Sequence, residues 1–140
     1  MAIPVVYWSG TGNTAAMAEA VAKGIEAAGK EAQLIEADSF NAADVANYDC
    51  IAFGCSAMGD EVLEEDVFEP MFTEAEGSLS GKKIAIFGSY GWGDGEWMRN
   101  WQERCEAAGA NLVAEGLIAN EYPDDAAVQE CMALGGKLAE

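Results

Sequence analysis

Histidine is absent from this chain of 140 residues, and cationic side chains are scarce: 7 Lys+Arg stand against 25 Asp+Glu, a formal charge of −18. Without imidazole, the commonest general base and metal ligand is missing, and most nucleophilic constellations go with it. The shortage of cations makes binding to nucleic acid or to an anionic membrane surface electrostatically unfavourable, so a basic partner is the natural complement. The cysteines number four, Cys50, Cys55, Cys105 and Cys131, and none forms a C-x-x-C pair. They sit in apolar segments, which predicts reduced, packed thiols of a cytoplasmic protein rather than a disulfide framework. Long apolar runs are missing too. The uncharged stretch from Met1 to Ala18 is broken by Ser9, Gly10, Thr11, Gly12, Asn13 and Thr14 and does not read as a membrane span. Because the first positive side chain is Lys23 and the amino terminus runs straight into a strand, no secretion leader is expected.

What is present is apolar and regularly spaced. At 51% hydrophobic residues the chain can bury one core, and its length suits a single domain spanning 1–140. Strand-length apolar runs recur at Val5 to Trp8, Ala32 to Ile35, Cys50 to Cys55, Lys83 to Gly88 and Leu112 to Ile118. Helical stripes lie between them: Met17, Val21 and Ile25; Trp97, Trp101 and Cys105; Val128, Cys131, Leu134 and Leu138. "EAAG" occurs at Glu26 to Gly29 and at Glu106 to Gly109, each time placing a glycine just past a helix. Two intervals are less regular. "SFNAADVANY" offers a short amphipathic turn, and Pro70 interrupts a helical pattern over Leu63 to Phe72. Five strands alternating with helices predict an α/β fold with a mainly parallel sheet covered on both faces.

In such a sheet, ligands bind outside the carboxyl ends of the strands. Three glycine-rich stretches fall there: "SGTGNT" after the first strand, "SAMGDE" after the third and "SYGWGDGEW" after the fourth. The first can hold a phosphate without any cationic side chain, because the amides at a helix start are unpaired and the helix dipole favours an anion. Ser9, Thr11, Asn13 and Thr14 add hydroxyl or amide donors, while Gly10 and Gly12 let the backbone approach closely. An ordinary turn capped by Thr14 would use the same residues. The lysine of the nucleoside triphosphate loop is absent. "GTGNTA" fits the dinucleotide pattern G-x-G-x-x-[GA], with Glu36 or Asp38 at a ribose-binding distance, but the chain is too short for a second mononucleotide half. A receiver domain would need carboxylates where Ser9 and Ser56 stand. In the third stretch, glycines around Tyr90 and Trp92 argue for a loop. An aromatic ring held at a ligand rim suits stacking on a flat heterocycle, although a loop anchor tucked into the nearest surface is the alternative for Trp92. Trp8, Trp97 and Trp101, on strand or helical stripes, are expected in the core.

Taken together and in this order, "SGTGNT", "SAMGDEVLEEDVFEP" and "GSYGWGDGEWM" resemble a short-chain flavodoxin of the kind found in anaerobic bacteria. Only a dozen residues separate Ala110 from Pro123, too few for the insertion that splits the last strand in long-chain relatives. The resemblance implies a flavodoxin-like three-layer sandwich with the parallel strands in the order 2-1-3-4-5. It implies noncovalently bound flavin mononucleotide (FMN) and service as a low-potential one-electron carrier, not an enzyme, that shuttles between semiquinone and hydroquinone states. By position, Ser9, Gly10, Thr11, Gly12, Asn13 and Thr14 would hold the phosphate. Ser56, Ala57, Met58, Gly59, Asp60 and Glu61 would border the ring, with Met58 on its inner face and Glu61 at N3–H. Ser89, Tyr90 and Gly91 would meet the pyrimidine edge, followed by Gly93, and Trp92 would stack on the outer face. The last loop, "ANEYPDD", departs from the family pattern, and no contact is assigned to Asn120 or Glu121.

Two further expectations concern the potential. Gly59 lets the peptide to Asp60 turn over, so that its carbonyl can accept a bond from flavin N5 after one-electron reduction, although a static turn also explains the glycine. Six of the ten residues from Asp60 to Glu69 are acidic. One carboxylate about 10 Å from an anionic ring, at an effective dielectric of about 20, opposes that charge by roughly 1.7 kcal/mol before salt screening. Several would lower the second potential, while part of the acidic surface only aids solubility. The partners implied are redox proteins with basic docking patches, met by a monomer through a small, short-lived interface. A flavin reductase would need a nicotinamide site that no motif supplies. A redox-silent phosphate-binding module would carry no flavin.

Overall fold

A computed structural model describes residues 2–10, 12–58, 62–91 and 93–140. The chain runs through β1 (Ile3–Trp8), α1 (Asn13–Ala27), β2 (Ala32–Glu36), β3 (Cys50–Cys55), α2 (Phe68–Glu76), β4 (Lys83–Tyr90), α3 (Glu96–Ala107), β5 (Asn111–Leu112), β6 (Leu117–Asn120) and α4 (Asp125–Ala139). Every pairing between these strands is parallel, in the order β2-β1-β3-β4-β5, with β6 also pairing with β4. This is the expected flavodoxin-like three-layer arrangement.

The period-two alternation of the strands feeds two cores. On one face, Val6, Phe53, Ile84 and Ile86 meet Phe68 and Phe72 of α2 and Trp97 and Trp101 of α3. On the other, Val5, Ala52, Ala85 and Phe87 meet Met17, Val21 and Ile25 of α1 and Cys131, Leu134 and Leu138 of α4. The stripes read from the sequence are therefore the buried faces of α1, α3 and α4. All four cysteines are free; Cys55, Cys105 and Cys131 are buried and Cys50 is half-buried. Burial raises the Cys55 thiol far above its ordinary range and pushes those of Cys105 and Cys131 up to about 12. No helix of the described residues is long and apolar enough to cross a membrane.

Two local expectations need correction. The run from Leu112 to Ile118 is two short strands rather than one. Between Leu112 and Leu117 the chain advances five positions while its partners on β4, Ile84 and Phe87, are three apart, so extra residues bulge out. There the Gly116 N–H donates to Oε1 of Gln102 at 2.9 Å instead of joining the ladder. The helix expected over Leu63 to Phe72 begins only at Phe68 and runs on to Glu76. Pro70 does not interrupt it, because a proline in the first turn gives up an N–H that has no intrahelical acceptor. What starts α2 is the buried carboxylate of Glu64, which accepts from the amides of Asp66, Val67 and Phe68, each at 2.8 Å. "SFNAADVANY" forms the short amphipathic turn expected of it, a 3-10 turn over Ala42–Asn47 that tucks Ala42 and Val45 inward, and a second 3-10 turn, Ala37–Ser39, runs into its start.

Candidate functional site

The carboxyl ends of β1, β3, β4 and β6 open on a cleft of 550 Å³ lined by Trp8, Gly10, Asn13, Ser56, Ala57, Met58, Ser89, Tyr90, Gly91, Glu121 and Tyr122. One wall is the turn into α1. Gly12 occupies the position before the helix with φ 93°, a left-handed conformation that costs glycine little, and no described side chain caps the helix. The amides of its first turn therefore lack intrahelical acceptors. The loop leading to it is tied by a hydrogen bond from the Gly12 N–H to Oγ of Ser9 at 3.1 Å.

Thr14 is not the cap. It is fully buried, and its hydroxyl lies 2.6 Å from Oγ of Ser56 and 3.0 Å from Oγ of Ser89. The Ser89 amide also donates to Thr14 Oγ1 at 3.3 Å. Three hydroxyls from three segments thus meet at one point and lock the first turn of α1 to the ends of β3 and β4. Beside this knot, the Ala57 amide donates to the Ser89 carbonyl at 2.9 Å. Met58 and Val62 then exchange backbone hydrogen bonds of 2.8 and 3.0 Å, closing a narrow antiparallel bridge. The bridge leaves both side chains exposed beside the cleft.

Of the predicted site residues, Gly10, Asn13, Ser56, Ala57, Met58, Ser89, Tyr90 and Gly91 line this one cleft. Ser9, Gly12 and Thr14 build the wall behind it, and Gly93 follows in the exposed bend before α3. Thr11, Gly59, Asp60, Glu61 and Trp92 lie outside the described residues, so the turning peptide and the outer stacking ring assigned to them are not placed here.

Trp97 and Trp101 are buried as expected, with the Trp97 indole N–H directed at the Cys55 carbonyl, 3.4 Å away. Trp8, the last residue of β1, packs against the α2 and α3 core as expected, but it is only half-buried and also lines the cleft, a role the sequence did not indicate. Sequence reasoning also missed Glu121 and Tyr122. Glu121 takes φ 56°, unusual for a residue other than glycine, and its N–H donates to the Tyr90 carbonyl at 2.7 Å. Asn120 donates to the same carbonyl through Nδ2 at 3.3 Å. Held in this way, Tyr122 stands over the cleft with 68% of its surface exposed. The signal was available: this loop follows the carboxyl end of the last strand, as the other site loops follow theirs.

An uncapped helix start beside an open, partly aromatic cleft fits a ligand with an anionic tail and a flat ring. The flavodoxin family model matches residues 5–135. The chain belongs to the flavodoxin family. It is 51% identical to the flavodoxin of Clostridium beijerinckii over 135 residues, covering 96% of this chain and 97% of that one. Its identity to the flavodoxin of Megasphaera elsdenii is 46% over 138 residues, covering 99% and 98% of the two chains. The solution structure of two-electron reduced Megasphaera elsdenii flavodoxin superposes with a TM-score of 0.89 at 48% identity, covering 98% of each chain. A flavodoxin from the domain Archaea superposes with a TM-score of 0.88 at 31% identity, covering 99% of this chain and 96% of that one. Flavodoxins are electron-transfer flavoproteins that bind FMN, and the residues present here fit that group. The first turn of α1 presents amides to an anion without a competing cap, and Met58, Tyr90 and Tyr122 give a ring its walls.

Proposed function

We propose that this chain is a cytoplasmic, monomeric, low-potential one-electron carrier that holds FMN noncovalently and hands electrons to redox proteins with basic docking patches. The observation that carries this is the opening of the uncapped α1 start onto the same 550 Å³ cleft that Trp8, Met58, Tyr90 and Tyr122 line. When bound, FMN supplies one-electron chemistry between its half-reduced and fully reduced states. The chain's own residues hold and bias it. Ser9, Asn13 and the amides of the α1 turn, with Thr11, would take the phosphate, while Thr14 fixes that turn to Ser56 and Ser89. Met58 and Trp92 would face the two sides of the ring, with Glu61 and the Ser89 to Gly91 segment at its polar edge. The carboxylates from Asp60 to Glu69 would disfavour a second negative charge on it. Exposed Met58, Val62 and Tyr122 on a chain of net charge −18 support a small apolar contact steered by a basic partner.

The visible spectrum of the purified protein during stepwise reduction tests this directly. A yellow protein that passes through a distinct one-electron stage is expected, and a flavin-free chain should regain that spectrum when FMN is added. Trp92→Ala should weaken FMN binding more than Trp97→Ala, because Trp97 is packed in the core. A colourless protein that takes up no FMN would overturn the proposal.

A further inference from the structure

A Cβ built on Gly10 would lie 2.9 Å from Cη2 of the Trp8 indole, 3.4 Å from Cζ3 and 3.7 Å from Cζ2. The outer edge of the indole therefore lies directly beneath the loop that leads into α1. We propose that Trp8 is a positioning residue for this loop, and that it makes the chain select a phosphorylated flavin over an unphosphorylated one. The proposal rests on the assignment of FMN to the cleft.

Strand geometry puts the ring there. Alternation along β1 sends Val5 to the α1 and α4 side and Val6 to the α2 and α3 side, and Trp8, in phase with Val6, packs on the same side. As the last residue of the strand, it borders both that core and the loop at Gly10. The loop contains two glycines, Gly10 and Gly12, and the short bond described within it joins Ser9 only to Gly12. Fixing such a segment costs conformational entropy, which a preformed floor reduces.

The consequence is local. Hydrogen bonds from amides to an anion weaken steeply with distance and angle, so a loop that has lost its floor loses bonds to the phosphate. Met58, Tyr90 and Tyr122, which wall the rest of the cleft, come from other segments and do not depend on the indole for their backbone positions. A residue whose main work was stacking on the ring would act on every flavin alike. One that props the phosphate loop acts on the phosphate ester alone.

The test compares FMN, riboflavin and inorganic phosphate on the flavin-free full chain, for the parent, Trp8→Ala and Gly10→Ala. The second variant leaves the Trp8 side chain in place and forces loop and indole apart by the added methyl. Both variants should raise the Kd for FMN about tenfold or more, as expected when binding groups are displaced by a fraction of an ångström, and move the Kd for riboflavin by less than about twofold. Inorganic phosphate should raise the melting temperature of the parent, and both variants should reduce that rise. Equal losses for FMN and riboflavin, or no loss for either, would overturn the proposal. If the parent binds neither flavin, the assignment of the cofactor fails. The phosphate measurement then decides the loop by itself: a rise in the parent that both variants lack upholds the role of Trp8, and no rise in the parent overturns it.

Discussion

Gly135 and Gly136 are neighbours in α4, yet replacing each by alanine should move stability in opposite directions. α1 and α4 lie side by side on one face of the sheet and touch through bare backbone. A Cβ at Gly135 would lie 2.1 Å from the Val21 carbonyl oxygen and 3.0 Å from the Ile25 amide nitrogen, and one at Gly24 would lie 1.9 Å from the Met132 carbonyl oxygen. Non-bonded heavy atoms are at rest near about 3.5 Å, so the two helices would have to part by roughly an ångström or more. That movement would loosen Met17, Val21, Leu134 and Leu138 against one another. Overpacking of this kind costs roughly 1–3 kcal/mol, and alanine in place of glycine in a helix interior returns roughly 0.5–1 kcal/mol. Because the atoms met are backbone, which cannot swing aside, the upper part of that range applies, and Gly135→Ala should lose about 1–2.5 kcal/mol. At Gly136 an added Cβ meets nothing within 4 Å, which leaves only the helix term, a gain of about 0.5–1 kcal/mol. Urea unfolding of the flavin-free chain, followed by tryptophan fluorescence, measures both, and unchanged m-values would show that the unfolded states are comparable. A Gly135→Ala variant as stable as the parent, or a Gly136→Ala variant equally damaged, would refute the backbone contact as the reason for glycine at 135.

The buried thiols predict a loss of stability in alkali. Burial holds Cys105 and Cys131 protonated up to about 12, against 9.0 for a free thiol, so above about pH 9 the unfolded chain gives up protons that the native one keeps. Their contribution is complete below that pH and falls by about 1.4 kcal/mol per pH unit for each thiol as the pH rises toward 12; a urea midpoint that did not move between about pH 8 and about pH 10.5 would contradict this. Thr14→Val keeps the shape of the side chain but leaves the Ser56 and Ser89 hydroxyls without their common partner. It should cost about 1–3 kcal/mol, while Thr14→Ser should recover most of it; equal urea midpoints for Thr14→Val and the parent would show that the hydroxyl knot contributes nothing.

The strands that flank the site were legible because each is a short apolar run bounded by turn residues. Cys50 to Cys55 falls on β3 without adjustment. The site loops were legible because glycines and hydroxyl residues interrupt the apolar pattern immediately after a strand. Trp8 packs against the core as its place in the strand predicted, but its second role as a lining residue of the cleft was not legible, because a period-two pattern gives the side of the sheet but not where the sheet ends. Glu121 and Tyr122 carry no local mark, since the left-handed turn at Glu121 is held by the Tyr90 carbonyl, some thirty positions away. Pro70 looked like a breaker because the cap that starts α2 is a glutamate side chain reaching forward from Glu64.

The sequence by itself determined the α/β alternation, the buried stripes, the acidic character and the three loops that carry the family resemblance. All of these follow from residue type and spacing along a few consecutive turns. Only the tertiary structure decided which hydroxyl faces inward, that Thr14, Ser56 and Ser89 meet, that α1 and α4 touch at Gly24 and Gly135, and that an indole lies under Gly10. Those facts depend on distances between segments far apart in the chain, and such distances are set by how the two helical layers and the loops settle on the sheet.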